Sequence, residues 1–236
     1  VVPDPAQPVK FVLMETATDV TRMRLVGGSL ALDFVNTRSG PVSGPPDDDV
    51  LAGYGDLVGW ARYAGALTGA EAARLHRRAR ADPDHAEATF QRAARTRDYL
   101  DELFRTIAAG GRPAGRALVA LRDDEVDALG RAALVGEDPF EWSWRRDRTL
   151  SRPLHPVVHA AVELLTTGRL DRVKGCAGCR FLFVDESKNR SRRWCSMDDC
   201  GTTAKIRRYV ARRAHTRTLA TPPQPDPARG QDGLFS

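Results

Sequence analysis

The chain has four cysteines in 236 residues, and they stand together as Cys176-x2-Cys179-x15-Cys195-x4-Cys200. This is metal-ligand spacing. A CxxC knuckle presents two thiolates on one tight turn, and a second pair brought back by a short excursion completes a tetrahedron of soft sulfur ligands, the set that suits one structural Zn2+. Four protein ligands leave no open position for water or substrate. The metal would therefore hold a fold together, and in so small a segment its binding free energy is a large part of the folding free energy.

Other uses of the thiols fit less well. No apolar stretch of signal-peptide length opens the chain, the run from Phe11 to Met14 being cut by Glu15, so a reducing, cytoplasmic setting without persistent disulfides is expected. A thioredoxin-like CxxC needs a strand-to-helix context and no second pair. An iron–sulfur cluster takes the same four thiolates, and it is the dense arginine around them that favours zinc. His155 and His159 have i, i+4 spacing, but no metalloprotease Glu follows the first and no third ligand is evident, so they read as a packed pair. With no phosphate-cradling glycine loop, nucleophile elbow or paired-carboxylate motif, an enzyme is not expected.

Charge is split along the chain. Residues 169–217 carry 14 Lys/Arg against 5 Asp/Glu, a formal +9, whereas residues 1–168 carry 21 against 24. Only four of the 36 basic residues are Lys; that ratio, with abundant Ala, fits a G+C-rich genome, so the position of the arginines matters more than their total. A compact basic module on a slightly acidic body is the electrostatic footprint of a polyanion binder, a solvated basic surface being the alternative. With no apolar run near 18 residues, no membrane span is expected.

The elements that would position these groups read as mainly α. Residues 1–24, with Pro3, Pro5 and Pro8, form a loose arm, residues 25–168 a helical body, residues 169–217 the finger and residues 218–236 a disordered tail. Within the body, helices are expected at 25–37, from 57 with Asp56 as cap, from Thr68, at 84–109, at 114–134 and at 155–167 with Gly168 at its end. A short strand with Trp142 and Trp144 on one face precedes the last of them. In the finger, Phe181 to Asp185 forms a strand beside which residues 192–195 return, and residues 204–215 form a helix: a treble-clef-like layout. On that helix Lys205, Arg208 and Arg212 make a basic stripe, and Ile206, Tyr209 and Val210 are expected to contact the finger or body. Asp33 and Asn36 lie on an apolar helix, where they are either a buried hydrogen-bonded network or part of a ligand pocket in a sensor domain.

The combination of GGSLALDFVNT near the start and CAGCRFLFVDESKNRSRRWCSMDDCG near the end resembles the bacterial proteins that join an ABATE domain to a C-terminal CGNR-type zinc finger, described as stress-induced transcription regulators. The resemblance spans residues 25–215 and implies a helical body, a DNA-binding finger and zinc ligands at Cys176, Cys179, Cys195 and Cys200. This chain departs from the name-giving Cys-Gly-Asn-Arg, which is here Cys200-Gly201-Thr202-Thr203. Neither lost residue is a ligand, so zinc binding is expected to survive.

The residues left to contact nucleic acid are Arg190, Arg192 and Arg193 on the loop between the cysteine pairs, and Lys205, Arg207, Arg208 and Arg212 on the helix. They predict affinity and salt dependence before sequence specificity. Trp194 is expected to pack. The reading is a zinc-dependent DNA-binding regulator whose body senses a small molecule or mediates assembly as a homodimer; RNA binding and a protein-interaction adaptor are the alternatives.

Overall fold

The computed structural model describes residues 19–167 and 170–220, with side chains as far as 213. The expected arm before residue 19, Gly168 and the expected tail beyond residue 220 lie outside the described residues, while residues 218–220 of that tail are helical. The body consists of α1 (Leu30–Val35), α2 (Tyr54–Tyr63), α3 (Gly69–Ala81), α4 (Pro83–Ala108), α5 (Gly115–Leu129) and α6 (His155–Thr166), with the ribbons β1 (Arg38–Ser39) with β2 (Asp48–Asp49) and β3 (Ala133–Val135) with β4 (Glu141–Ser143). The finger consists of β5 (Val173–Gly175), β6 (Leu182–Val184), a π turn at Met197–Gly201 and α7 (Thr202–Ala220). The mainly helical class with a small mixed finger is as expected.

Helix α4 is the central member, and its sequence explains why. Asp82 accepts the His85 amide at 3.2 Å and Pro83 occupies the first turn, where its missing N–H costs nothing. Its inward stripe buries Leu100, Leu103 and Phe104 against α1, α2 and α5. In the same stripe Arg97, 2% exposed, forks onto Asp49 at 2.6 and 2.8 Å and onto the Thr37 hydroxyl at 2.6 Å. This bidentate pair ties α4 to β2 and to the end of α1. Helix α3 starts at the expected Thr68, in a full capping box with Glu71. Glu71 is also the buried partner of Arg152 at 2.9 Å.

Four expectations are corrected. The helix expected at 25–37 is only α1, because Gly28 sits at φ +71° and the Gly27 carbonyl accepts the Val184 amide of β6 at 2.8 Å; that backbone serves the finger and is unavailable to a helical turn. Helix α2 begins at Tyr54, ahead of Asp56, whose carboxylate instead accepts the Ala52 amide at 2.9 Å. Helix α5 stops at Leu129, well short of 134, and Leu134 pairs across β3–β4 with Trp142. Trp144 is buried, whereas Trp142 is exposed, and it donates its indole N–H to the Ala128 carbonyl at 2.7 Å, beside the Arg131 amide that the same carbonyl accepts at 3.1 Å. Lastly, residues 19–24 are tethered within the expected arm: Val20 and Met23 are buried.

Asp33 is buried and accepts the Gly27 amide at 2.8 Å. Burial pushes its pKa up to about 6, against the opposing pull of the Gly27 and Val26 N–H groups. The folded value lies above the ordinary 3.8, so the neutral carboxyl contributes its stability fully below about pH 4 and that contribution is lost as pH rises towards about 6. Denaturant unfolding of the wild type and D33N between pH 4 and 8 checks this. Relative to D33N, the wild type is expected to lose about 3 kcal/mol across that window and to stay level above it; a difference that does not change with pH would contradict the burial argument.

Candidate metal centre and nucleic-acid interface

The knuckle is carried on a hairpin. Strands β5 and β6 pair antiparallel, Val173 with Val184 and Gly175 with Leu182, and Cys176 and Cys179 stand at the turn between them. The strand over 181–185 was expected to pair with 192–195; its partner is instead the segment before the knuckle. Residues 192–195 return beside the knuckle, where the Ala177 amide donates to the Arg193 carbonyl at 2.9 Å. Cys195 follows, and Cys200 is carried by the π turn that opens α7. At Gly178 a Cβ would lie 2.9 Å from the Cys200 Cβ, so the knuckle closes on the last ligand only with glycine there.

All four Sγ atoms lie within 4.8 Å of one another, with Cys179 to Cys195 at 3.6 Å and Cys195 to Cys200 at 3.7 Å. A tetrahedron with Zn–S bonds near 2.3 Å has S···S edges of about 3.8 Å, so the donor set fits zinc in type, number and spacing. The Gly178 and Cys195 amides point at the Cys176 sulfur at 3.3 and 3.2 Å, the charge-stabilising contacts a metal thiolate takes. Hydrogen bonds from Cys179 and Cys195 hold the Cys176 thiol down, while Cys195, bonded to the Cys176 and Cys179 sulfurs, is pushed up. The finger holds one structural zinc ion.

The finger is joined to the body by main-chain recognition. The Asn36 amide donates to the Leu182 carbonyl at 2.8 Å and accepts the Leu182 N–H at 2.9 Å, a two-way clamp from α1 onto β6. Arg180 donates its amide to the Gly40 carbonyl at 3.1 Å and pairs with Asp101 at 3.1 Å, and Arg105 donates to the Arg180 carbonyl at 2.6 Å. Val173, Leu182 and Val184 belong to the same core as the body, whereas Phe183 joins Cys176 and Cys195 in a small core of the finger. Asp33 and Asn36 are therefore spent on backbone groups. Asn36 does line a cavity of about 390 Å3 at the seam, with Met23, Val26, Val50, Phe181, Cys179, Cys195 and Cys200 around it; Asp33 does not.

The seven basic residues selected from sequence have unequal fates. Arg192 lies over the Phe183 ring at 4.2 Å and donates to the carbonyls of Val26, Val184, Trp194 and Cys195, so its guanidinium is a structural rivet and is withdrawn as a nucleic-acid contact. Arg190, at φ +51°, pairs with Asp171 but stays 56% exposed. Arg193 is exposed above Trp194, which packs on the metal core as expected. Lys205, Arg207, Arg208 and Arg212 are all exposed on α7. Arg207 and Arg208 line a cleft of about 440 Å3 with Ala177, Gly178 and Thr203, directly beside the knuckle. Sequence reasoning missed Arg24, which ties the N-terminal segment to the π turn through Ser196 at 3.0 Å and Asp199 at 2.8 Å, and Lys174, which donates to the buried Asp185 at 2.6 Å. Only a partner more than 170 positions away identifies the role of Arg24. His159 bonds Glu125 at 2.7 Å between the two tryptophans, and His155 lies 3.0 Å from Asp147, both remote from the cysteines.

Two family models match. Residues 28–168 match ABATE, described as "Putative stress-induced transcription regulator", over more than half of the chain. The chain belongs to the ABATE family. Residues 172–213 match the CGNR zinc finger, which covers all four cysteines. No curated protein matches this ABATE-family chain. Among the described residues no helix is long and apolar enough to cross a membrane.

Because Val173, Leu182 and Val184 are buried in the core they share with the body, metal loss is expected to loosen only what the sulfurs hold. The chain is expected to carry one Zn2+ and to lose it in C176S or C200S. Trypsin then cuts quickly between Arg193 and Arg208 while the helical circular dichroism of the body persists. A zinc-free protein resistant to trypsin over that stretch would contradict a structural metal.

Proposed function

We propose that this protein is a zinc-dependent, DNA-binding transcription regulator whose finger docks on duplex DNA through α7 and the knuckle cleft. The observation that carries the reading is the charge of α7: between Thr202 and Arg213 it has five Lys/Arg and no Asp or Glu, it is exposed along that length, and its base is fixed by the metal ligand Cys200. Arg207 and Arg208 border a cleft wide enough for a phosphate group, and Arg190 and Arg193 extend the basic surface across the intervening loop. Lys205 and Arg212 continue it along the helix. Family membership supports regulation of transcription and a response to stress.

The body supplies the regulatory half of the proposal. Residues of both body and finger line the seam cavity, so a small molecule bound there alters the pose of the zinc cluster and of α7 together. Assembly as a homodimer would double the basic surface, as DNA-binding regulators commonly require.

Titrating the zinc-loaded protein with duplex DNA at several salt concentrations tests the reading. Each phosphate neutralised contributes a slope of about −0.9 in log K against log salt. R207Q combined with R208Q is expected to weaken binding to all duplexes alike and to flatten that slope by about two units. Binding that ignores salt would favour a protein-interaction adaptor, and a preference for single-stranded RNA, with its shallower slope of about −0.7 per phosphate, would favour the RNA reading.

A further inference from the structure

Helix α7 has a face that the rest of the described chain leaves uncovered. Ile206, Tyr209 and Val210, at i, i+3 and i+4, are each 58% exposed, and the main packing of the helix is on the π turn at its own base. They were expected to contact the finger or body; all three instead face outward. A stripe of large apolar side chains in water marks a seat for a partner, and the residues around it indicate which. Lys205, Arg208 and Arg212 run along one border of the stripe and Arg207 stands on the other. Arg213 reaches back to the Tyr209 hydroxyl at 2.9 Å. A second copy of this helix would oppose like charges with no acid to relieve them. An apolar strip between two cationic borders is instead complementary to a groove with anionic edges and a partly apolar floor.

The major groove of B-DNA has that form: phosphates along both rims and thymine methyl groups on the floor, in a channel wide enough for one helix. Thr202 and Thr203 stand at the N-terminal end of the same face and carry no amide or guanidinium for a bidentate base contact. Resting on the DNA-binding reading above, we infer that α7 is the reading helix and that Ile206, Tyr209 and Val210 select sites by contact with thymine C5-methyl groups while the bordering cations hold the phosphates. Recognition then depends on apolar surface, and salt dependence depends on other residues of the same helix.

In vitro selection of duplexes by the zinc-loaded full chain, followed by replacement of the selected thymines with deoxyuridine, tests this without altering the protein. Deoxyuridine removes only the methyl group, and the wild type is expected to lose about fourfold in affinity per contacted methyl. I206A and V210A are expected to be insensitive to the replacement and to keep the wild-type salt slope. A consensus without fixed thymines, a wild type indifferent to deoxyuridine, or variants that suffer the full deoxyuridine penalty would each overturn the inference while leaving salt-dependent DNA binding intact. A protein that binds no duplex, or that prefers RNA or an acidic peptide, overturns both this inference and the DNA reading.

Discussion

A hairpin of three-residue strands cannot bury its own apolar side chains, and the molecule is arranged around that constraint. Val173, Leu182 and Val184 find cover only in the core that also holds the body helices. The backbone of β6 is recognised in turn by body groups, the Asn36 amide at Leu182 and the Gly27 carbonyl at Val184. Leaving one of these buried groups unpaired costs about 1–3 kcal/mol, so the join has a specific register and is not a loose collision of two modules. The conformation of residues 26–28 follows from it, and so does the short length of α1.

Zinc acts on the other side of the hairpin. Four sulfurs gather the knuckle, the return at Cys195 and the π turn at Cys200 around a core too small to fold unaided, with Phe183 as its chief apolar member. The metal thus sets the base of α7, and the body sets the frame on which the knuckle stands. Arg192 bridges the two systems, reaching Val26 on one side and the Cys195 carbonyl on the other. Among the described residues, the basic helix packs mainly at its base and leaves its charges and its apolar stripe exposed.

Much of this was legible in the residues themselves. The metal centre was, because four thiolates at fixed spacing have few other uses, and so were the start of α3 at Thr68 and the length of α4. What misled were places where a distant strand or side chain claimed a local segment. Residues 25–37 have helical composition, but their first part serves β6; Leu134 fits a helical stripe, but it faces Trp142 across a ribbon. Arg192 looked like its neighbours Arg190 and Arg193 until its four carbonyl partners fixed it inward. The reverse error fell on Ile206, Tyr209 and Val210, apolar residues that periodicity assigns to a buried face and that no described element covers.

Amide hydrogen exchange of the full chain with and without a zinc chelator separates the two constraints most directly. If the body holds the hairpin and zinc holds only the knuckle and the base of α7, chelation strips protection from the Ala177, Cys195 and Gly201 amides while the Leu182 and Val184 amides stay protected. Loss of protection throughout residues 173–201 would instead mean that the finger folds as an independent zinc-dependent unit, and would contradict the account.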